Sequence, residues 1–226
     1  MADGRDHTIA TFFDTHAVPD AALRHFSSIP WTARLLRDGR YVALPTFSRV
    51  LKETGEDAFF AVTVNTPSTV AEALCLRRRT LDTPPPTNAG SPFNRTTAPA
   101  NPYEAPVPAA PDAYLLLTLG SPGLDGHPNT LHGGFATAIL DEVMGLCLMF
   151  HQMGASDPTA AIFTARLDTV YRRPVRTPGE VMVRTWLTGR QGRKWWARGQ
   201  IVDKDGTVLA EAEGMWIEAG KRGQRL

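Results

Sequence analysis

The chain has 226 residues, with 24 Lys and Arg against 23 Asp and Glu for a formal net charge of +1. So even a balance gives no bulk attraction for nucleic acid, and the length suits one elaborated domain with a real core. Cys75 and Cys147 are the only cysteines, which excludes a disulfide framework and predicts buried thiols in a reducing compartment.

Met1 to Thr15 mixes Asp3, Arg5, Asp6 and Asp14 with no long apolar stretch, so neither a secretory nor a mitochondrial leader is expected. No apolar run approaches the ~20 residues that span a bilayer. The expectation is a cytoplasmic protein without a membrane span. From Asp20 to Arg37, apolar residues recur at helical spacing and Pro30 interrupts them, which predicts two short helices. Ala58 to Val64 is β-branched and aromatic and reads as a strand. Thr66 to Arg79 reads as a helix, with Thr69 and Glu72 matching a capping box. Residues 81–111 are dense in proline and small polar residues. Such a composition cannot offset ordering entropy by burial, so a surface-wrapping loop is expected there. Tyr114 to Leu119 then reads as a strand, and Gly133 to His151 as a helix that is apolar nearly all round. Four strands follow: Ala161 to Tyr171, Val181 to Thr188, Lys194 to Val202 and Val208 to Ile217, the last two joined by the turn Asp203-Lys204-Asp205-Gly206. The order predicts an α+β fold, an antiparallel β-sheet wrapped around a central α-helix. Residues 1–57 form a helical extension, and 58–220 the main domain with an insertion at 81–111.

The run from Leu131 to Glu142, Leu-His-Gly-Gly-Phe-Ala-Thr-Ala-Ile-Leu-Asp-Glu, is the most informative segment. Its glycines open a helix whose free N–H groups form an anion-stabilising end. Between Phe135 and Phe150 the only charged residues are Asp141 and Glu142, and a carboxylate in such a segment costs roughly several kcal/mol unless partners compensate it. Positions nine apart on a helix lie ~13 Å apart on opposite sides, so His132 and Asp141 of one chain cannot meet. If both serve one centre, a second copy must lay its helix antiparallel alongside, and a homodimer or dimer of dimers is expected.

His132-Gly133-Gly134, six residues, then Asp141, followed by Phe163-Thr164-Ala165-Arg166-Leu167 and Tyr171-Arg172-Arg173-Pro174, resembles the hotdog-fold thioesterases. The likeness is to the phenylacetyl-CoA thioesterase-like branch that includes long-chain acyl-CoA thioesterases; it runs from Tyr114 to Glu218. His25 to Trp31 is also similar to fungal members of that group. The resemblance implies a hotdog fold and hydrolysis of acyl thioesters, on coenzyme A or on a carrier protein, including polyketide-like chains. Asp141 would be general base or nucleophile. Gly133 would be the oxyanion donor from the opposite subunit, with Gly134 allowing close substrate approach, and His132 and Thr164 would assist. Relatives place an asparagine six residues before the histidine; here that position is Gly126, and Asn129 stands nearer.

Between Thr164 and Gln200 nine basic residues face only Asp168 and Glu180. This segregation suits the phosphates of coenzyme A, with Arg172, Arg173, Arg193 and Lys194 as contacts. Trp195 and Trp196 point to opposite faces of their strand, so at most one lines a ligand groove. No Gly-x-Ser-x-Gly, metal-ligand spacing, phosphate loop or dinucleotide fingerprint occurs. No cofactor and no metal are therefore expected. Two other classes remain open: a non-catalytic hotdog module that binds acyl thioesters, and a hotdog dehydratase or lyase.

Overall fold

The structure, a computed structural model, describes residues 9–82, 110–153 and 160–219. Most of the proline-dense stretch lies outside these residues. The elements begin with three short helices, α1 (Ile9–Thr15), α2 (Asp20–Ser28) and α3 (Pro30–Leu36), then β1 (Tyr41–Leu44), a 3₁₀ turn (Phe47–Arg49) and a π-helical turn (Phe59–Thr63). They continue with β2 (Val70–Arg78), β3 (Ala113–Leu119), a small hairpin of β4 (Asp125–His127) and β5 (Thr130–Leu131), and the long helix α4 (Gly133–Gln152). β6 (Ile162–Tyr171), β7 (Gly179–Gln191), β8 (Lys194–Val202) and β9 (Val208–Glu218) complete the order. Seven strands form one antiparallel sheet in the order β1-β2-β3-β7-β8-β9-β6.

α4 lies on one face of this sheet. Ala136, Leu140, Val143, Met144, Cys147 and Leu148 pack with Ala73, Cys75, Leu115, Leu117, Val183, Ala197 and Ile201 in the main core. The approach is tight at Gly199, where an added Cβ would lie 2.7 Å from Met144 Sδ. The opposite face of β1–β3 is covered by α2 and α3, through Ala22 and Phe26 against Tyr41, Leu74, Leu76 and Leu116. Pro30 occupies the first turn of α3, where its missing N–H costs nothing. The architecture is α+β, as the order of elements predicts, and hotdog-like, as the resemblance implies.

Two local expectations are corrected. Ala58 to Val64 is not a strand but contains the π-helical turn, and Thr66 to Arg79 is not a helix but contains β2. β2 is buried on both faces, Ala73 and Cys75 toward α4 and Leu74 and Leu76 toward α2. A strand covered on two sides loses its polar/apolar alternation and cannot be told from a buried helix by periodicity. Thr69, read with Glu72 as a capping box, instead bonds Thr66, Oγ1 to Oγ1 at 2.8 Å. β1, within the expected helical extension, pairs with β2 as an edge of the sheet. α4 also corrects the membrane reading: its 20 residues are long and apolar enough to cross a bilayer. The sheet takes up that apolar surface, and Leu140, Val143, Met144, Cys147 and Leu148 are completely buried.

Candidate active site

α4 starts where the sequence places it. His132 adopts an extended backbone and caps the helix, its Nδ1 accepting the Gly134 N–H at 3.0 Å. The Gly133 N–H, at the first helical position, has no intrahelical acceptor. Of the two glycines, therefore, Gly134 spends its donor on the cap and Gly133 keeps its donor for another group. An added Cβ on Gly134 would lie 3.1 Å from the His132 ring, so this glycine makes room for the cap. Gly133 sits against the Tyr171 ring, and the Tyr171 hydroxyl donates to its carbonyl at 3.0 Å.

Two turns further on, Asp141 is half-buried and faces β6. Thr164 Oγ1 donates to its Oδ1 at 2.9 Å. Burial raises the Asp141 pKa above the ordinary carboxylate range, opposed by the Thr164 hydrogen bond. The pairing of β6 with β9 slips between Thr164 and Arg166. A bulge of this kind re-aims side chains, and here it lies beside the threonine that meets the acid. Nearer the start of the helix, Thr137 bonds the Tyr171 hydroxyl at 2.7 Å and Thr169 at 3.4 Å. One flank of α4, carrying Gly133, Thr137 and Asp141, is thus hydrogen-bonded to β6. β6 ends the sheet order, and Phe163 and Tyr171 on it are exposed by 51% and 56%.

Glu142, one residue on, faces the other way. Its carboxyl lies under the 3₁₀ turn, bonded to Ser48, with Lys52 and Asp57 near it; burial chiefly, then the neighbouring Asp57 and Asp141 charges, push it up to about 7. Lys52 and Asp57 pair with each other, and the Lys52 ammonium also bonds the Phe47 carbonyl and lies 3.7 Å from the Phe47 ring centroid. Sequence reading marked Glu142 as a costly charge but gave it no partner, because its partners come from the N-terminal segment.

The remaining expected residues divide. Asn129 sits at the tip of the β4–β5 hairpin with φ +53, a left-handed conformation that asparagine tolerates, and its carbonyl accepts the Thr177 N–H. Arg172 and Arg173 follow Tyr171, at the end of β6 that meets the first turn of α4; Arg172 is ion-paired with Glu211 at 2.8 Å. Arg193 and Lys194 lie on the β7–β8 turn, where Lys194 pairs with Ile217 and Glu218 pairs with Ile162 at the other end of β6. Ten extended residues span roughly 30 Å, so one chain does not bring the four basic residues together. Trp195 and Trp196 occupy opposite faces and both are buried, Trp195 within the main core.

A cluster invisible in the sequence spacing joins the far end of α4 to the sheet. Asp112, Cys147 and His151 place their ligand-type atoms within 4.8 Å of one another. Asp112 Oδ2 accepts from His151 at 3.0 Å and from the Leu187 N–H at 2.8 Å, and Oδ1 accepts from Arg78 at 2.6 Å. Burial alone would raise the Asp112 pKa, but these donors carry it below its ordinary value. With the carboxylate so fully engaged and a guanidinium against it, a second cation is electrostatically opposed. The cluster is a lock between helix and sheet. Both cysteines are free, buried thiols.

Two curated relatives are each 30% identical to this chain. One is an uncharacterized protein of Schizosaccharomyces pombe, matched over 102 residues, 43% of this chain and 55% of that protein. The other is the acyl-coenzyme A thioesterase THEM4 of Bos taurus, matched over 105 residues, 46% of this chain and 40% of that protein. The chain spans about half the length of the curated relatives it matches. Among solved structures, a hypothetical thioesterase of Streptococcus pneumoniae with coenzyme A is 12% identical, with a TM-score of 0.43, covering 49% of this chain and 83% of that one. The BH2602 protein of Bacillus halodurans with CoA is 19% identical, with a TM-score of 0.41, covering 47% and 66%. Residues 128–210, which include His132, Gly133, Asp141 and Thr164, match the Thioesterase superfamily.

Proposed function

We propose that this chain hydrolyses acyl-CoA thioesters as a two-fold dimer, Asp141 of one protomer acting on a carbonyl held by the Gly133 N–H of the other. The observation that carries this reading is the Thr164–Asp141 hydrogen bond at 2.9 Å beside the open edge of β6. It holds one carboxylate oxygen and leaves the other to take a proton or to attack. A raised pKa makes that carboxylate a stronger base than an exposed one. The match of residues 128–210 to the Thioesterase superfamily supports the reaction class, and the 30% identity to an acyl-coenzyme A thioesterase supports the thiol carrier.

In the general-base route, Asp141 removes a proton from water as the water oxygen adds to the thioester carbonyl. The carbonyl oxygen takes the negative charge, which the Gly133 N–H stabilises at the positive end of α4. Collapse breaks the carbon–sulfur bond and expels the CoA thiolate, which takes up the proton. In the nucleophilic route the carboxylate adds first and an anhydride is hydrolysed next. Antiparallel pairing of two helices would also bring Arg172 and Arg173 of one protomer toward Arg193 and Lys194 of the other. The four basic residues would then make one anion site from two halves.

The test is thiol release from an acyl-CoA panel by wild type and Asp141→Asn. Hydrolysis by wild type and a loss of at least ~100-fold in kcat for the variant are expected; full activity in the variant would overturn the assignment. A single turnover in ¹⁸O-water separates the routes, since only the nucleophilic one can leave label in Asp141.

A further inference from the structure

We propose that the segment from Leu51 to Thr63, which lies outside the family-matched residues, is the acyl-chain subsite and makes the enzyme selective for long apolar acyl groups. This inference rests on the thioesterase reading and adds its substrate class. Three of the large apolar side chains that the described structure exposes fall in this short arm: Leu51 at 54%, Phe59 at 47% and Val62 at 55%.

Their exposure is enforced by an anchored backbone. Lys52 bonds both Asp57 and the Phe47 carbonyl, Ser48 bonds the half-buried Glu142 on α4, and Phe60 packs against the core. Asp57 turns the arm through a left-handed backbone at φ +62, a conformation that aspartate tolerates. Phe59 and Phe60 meet edge to face at 5.1 Å between centroids. Both reach Phe135, at 6.2 and 6.3 Å.

Phe135 stands two residues after Gly133, in the first turn of α4. The arm therefore borders the amide end that would hold the thioester carbonyl. The other flank of that turn is Tyr171, against Gly133, followed by Arg172 and the exposed Arg173. Apolar surface lies on one side of the carbonyl position and cationic surface on the other. A molecule with a greasy chain on the carbonyl carbon and phosphates beyond its sulfur matches that polarity in one orientation only. A short or charged acyl group would leave Phe59 uncovered.

The experiment measures kcat/KM for acetyl-CoA and palmitoyl-CoA with wild type, Phe59→Ala, Phe59→Asp and the conservative Phe59→Leu. Circular dichroism and gel filtration monitor fold and assembly. The palmitoyl-to-acetyl ratio is expected to exceed ten in wild type, to fall at least tenfold in the Ala and Asp variants, and to stay within threefold in Phe59→Leu. A ratio unchanged in Phe59→Asp would overturn the proposal while leaving the hydrolase reading intact. An unchanged ratio with a smaller particle on gel filtration would assign the arm to an interface between copies. Binding separates the two readings further. If wild type hydrolyses nothing, the hydrolase reading fails, and calorimetry of palmitoyl-CoA against free CoA then decides the arm alone. Tighter binding of palmitoyl-CoA that is lost in Phe59→Ala supports the subsite, and equal binding of the two overturns it.

Discussion

Replacing Glu142 by Gln isolates the energetic cost of a half-buried charge on the central helix. Its carboxyl is displaced from 4.5 to about 7 by burial first, with Asp57 and Asp141 adding repulsion and the Ser48 hydrogen bond and Lys52 opposing. A group raised in this way binds its proton more tightly in the folded than in the unfolded chain. Stability is therefore greatest below the unfolded pKa near 4.5 and falls as pH rises through about 7. The displacement corresponds to about 3 kcal/mol lost by pH 8. Glutamine keeps the shape and an acceptor for Ser48 but carries no charge, so its curve lacks this slope. For a chain of this size about 1 kcal/mol moves Tm by roughly 2–4 °C. Glu142→Gln should then melt about 6–12 °C above wild type at pH 8 and within a few degrees of it at pH 5. Glu213, also pushed up to about 7 by burial, contributes the same slope to both proteins and cancels. Denaturant unfolding from pH 4.5 to 8.5, with both proteins side by side, measures the difference. Parallel curves would refute the reasoning, since they would mean that Glu142 is not desolvated beneath the Ser48–Asp57 segment.

Other perturbations probe the site and its supports. The acid limb of the rate profile should rise with pH through the raised Asp141 pKa. In Thr164→Ala that limb should move to higher pH, because the bond that lowers the pKa is lost, with kcat down by about tenfold; a steady-state pH series reads both. Asp112→Asn removes the buried one of the two carboxylates paired with half-buried Arg78, Asp82 remaining, and should cost about 1.5–3 kcal/mol of stability by urea unfolding. Gly134→Ala presses the His132 ring at 3.1 Å and should impair the cap, lowering activity more than the ~1 kcal/mol or so it takes from stability. At Gly120 a Cβ would lie 2.1 Å from the Pro67 carbonyl oxygen, so Gly120→Ala should yield little folded protein, read as soluble expression.

What the sequence could reveal followed from what was local. The His132 cap, the glycine pair and the lone acids of α4 lie on one helix, where period and spacing suffice, and the four strands after it show alternation or turn chemistry that the fold retains. β2 failed for a tertiary reason: α2 covers Leu74 and Leu76 on one side while α4 covers Cys75 on the other. The π-helical turn failed differently, because Phe59 and Val62 look like strand residues while they are exposed. Of the site, Asp141 and Thr164 were each legible, Asp141 as an expensive charge and Thr164 only through resemblance; their contact depends on how β6 lies against the helix. Glu142 shows the limit most sharply. Residue type alone makes Asp141 and Glu142 equal candidates, adjacent acids in one apolar rod, and only the resemblance singles out Asp141. The fold separates them by sending Asp141 toward an open strand edge with one hydrogen bond and Glu142 beneath an anchored arm with Ser48 and Lys52. An acid meant to exchange protons with a substrate needs the first environment. The second suits an acid that fixes the arm carrying Phe59, so a catalytic defect in Glu142→Gln as deep as that of Asp141→Asn would show that the two roles have been assigned the wrong way round.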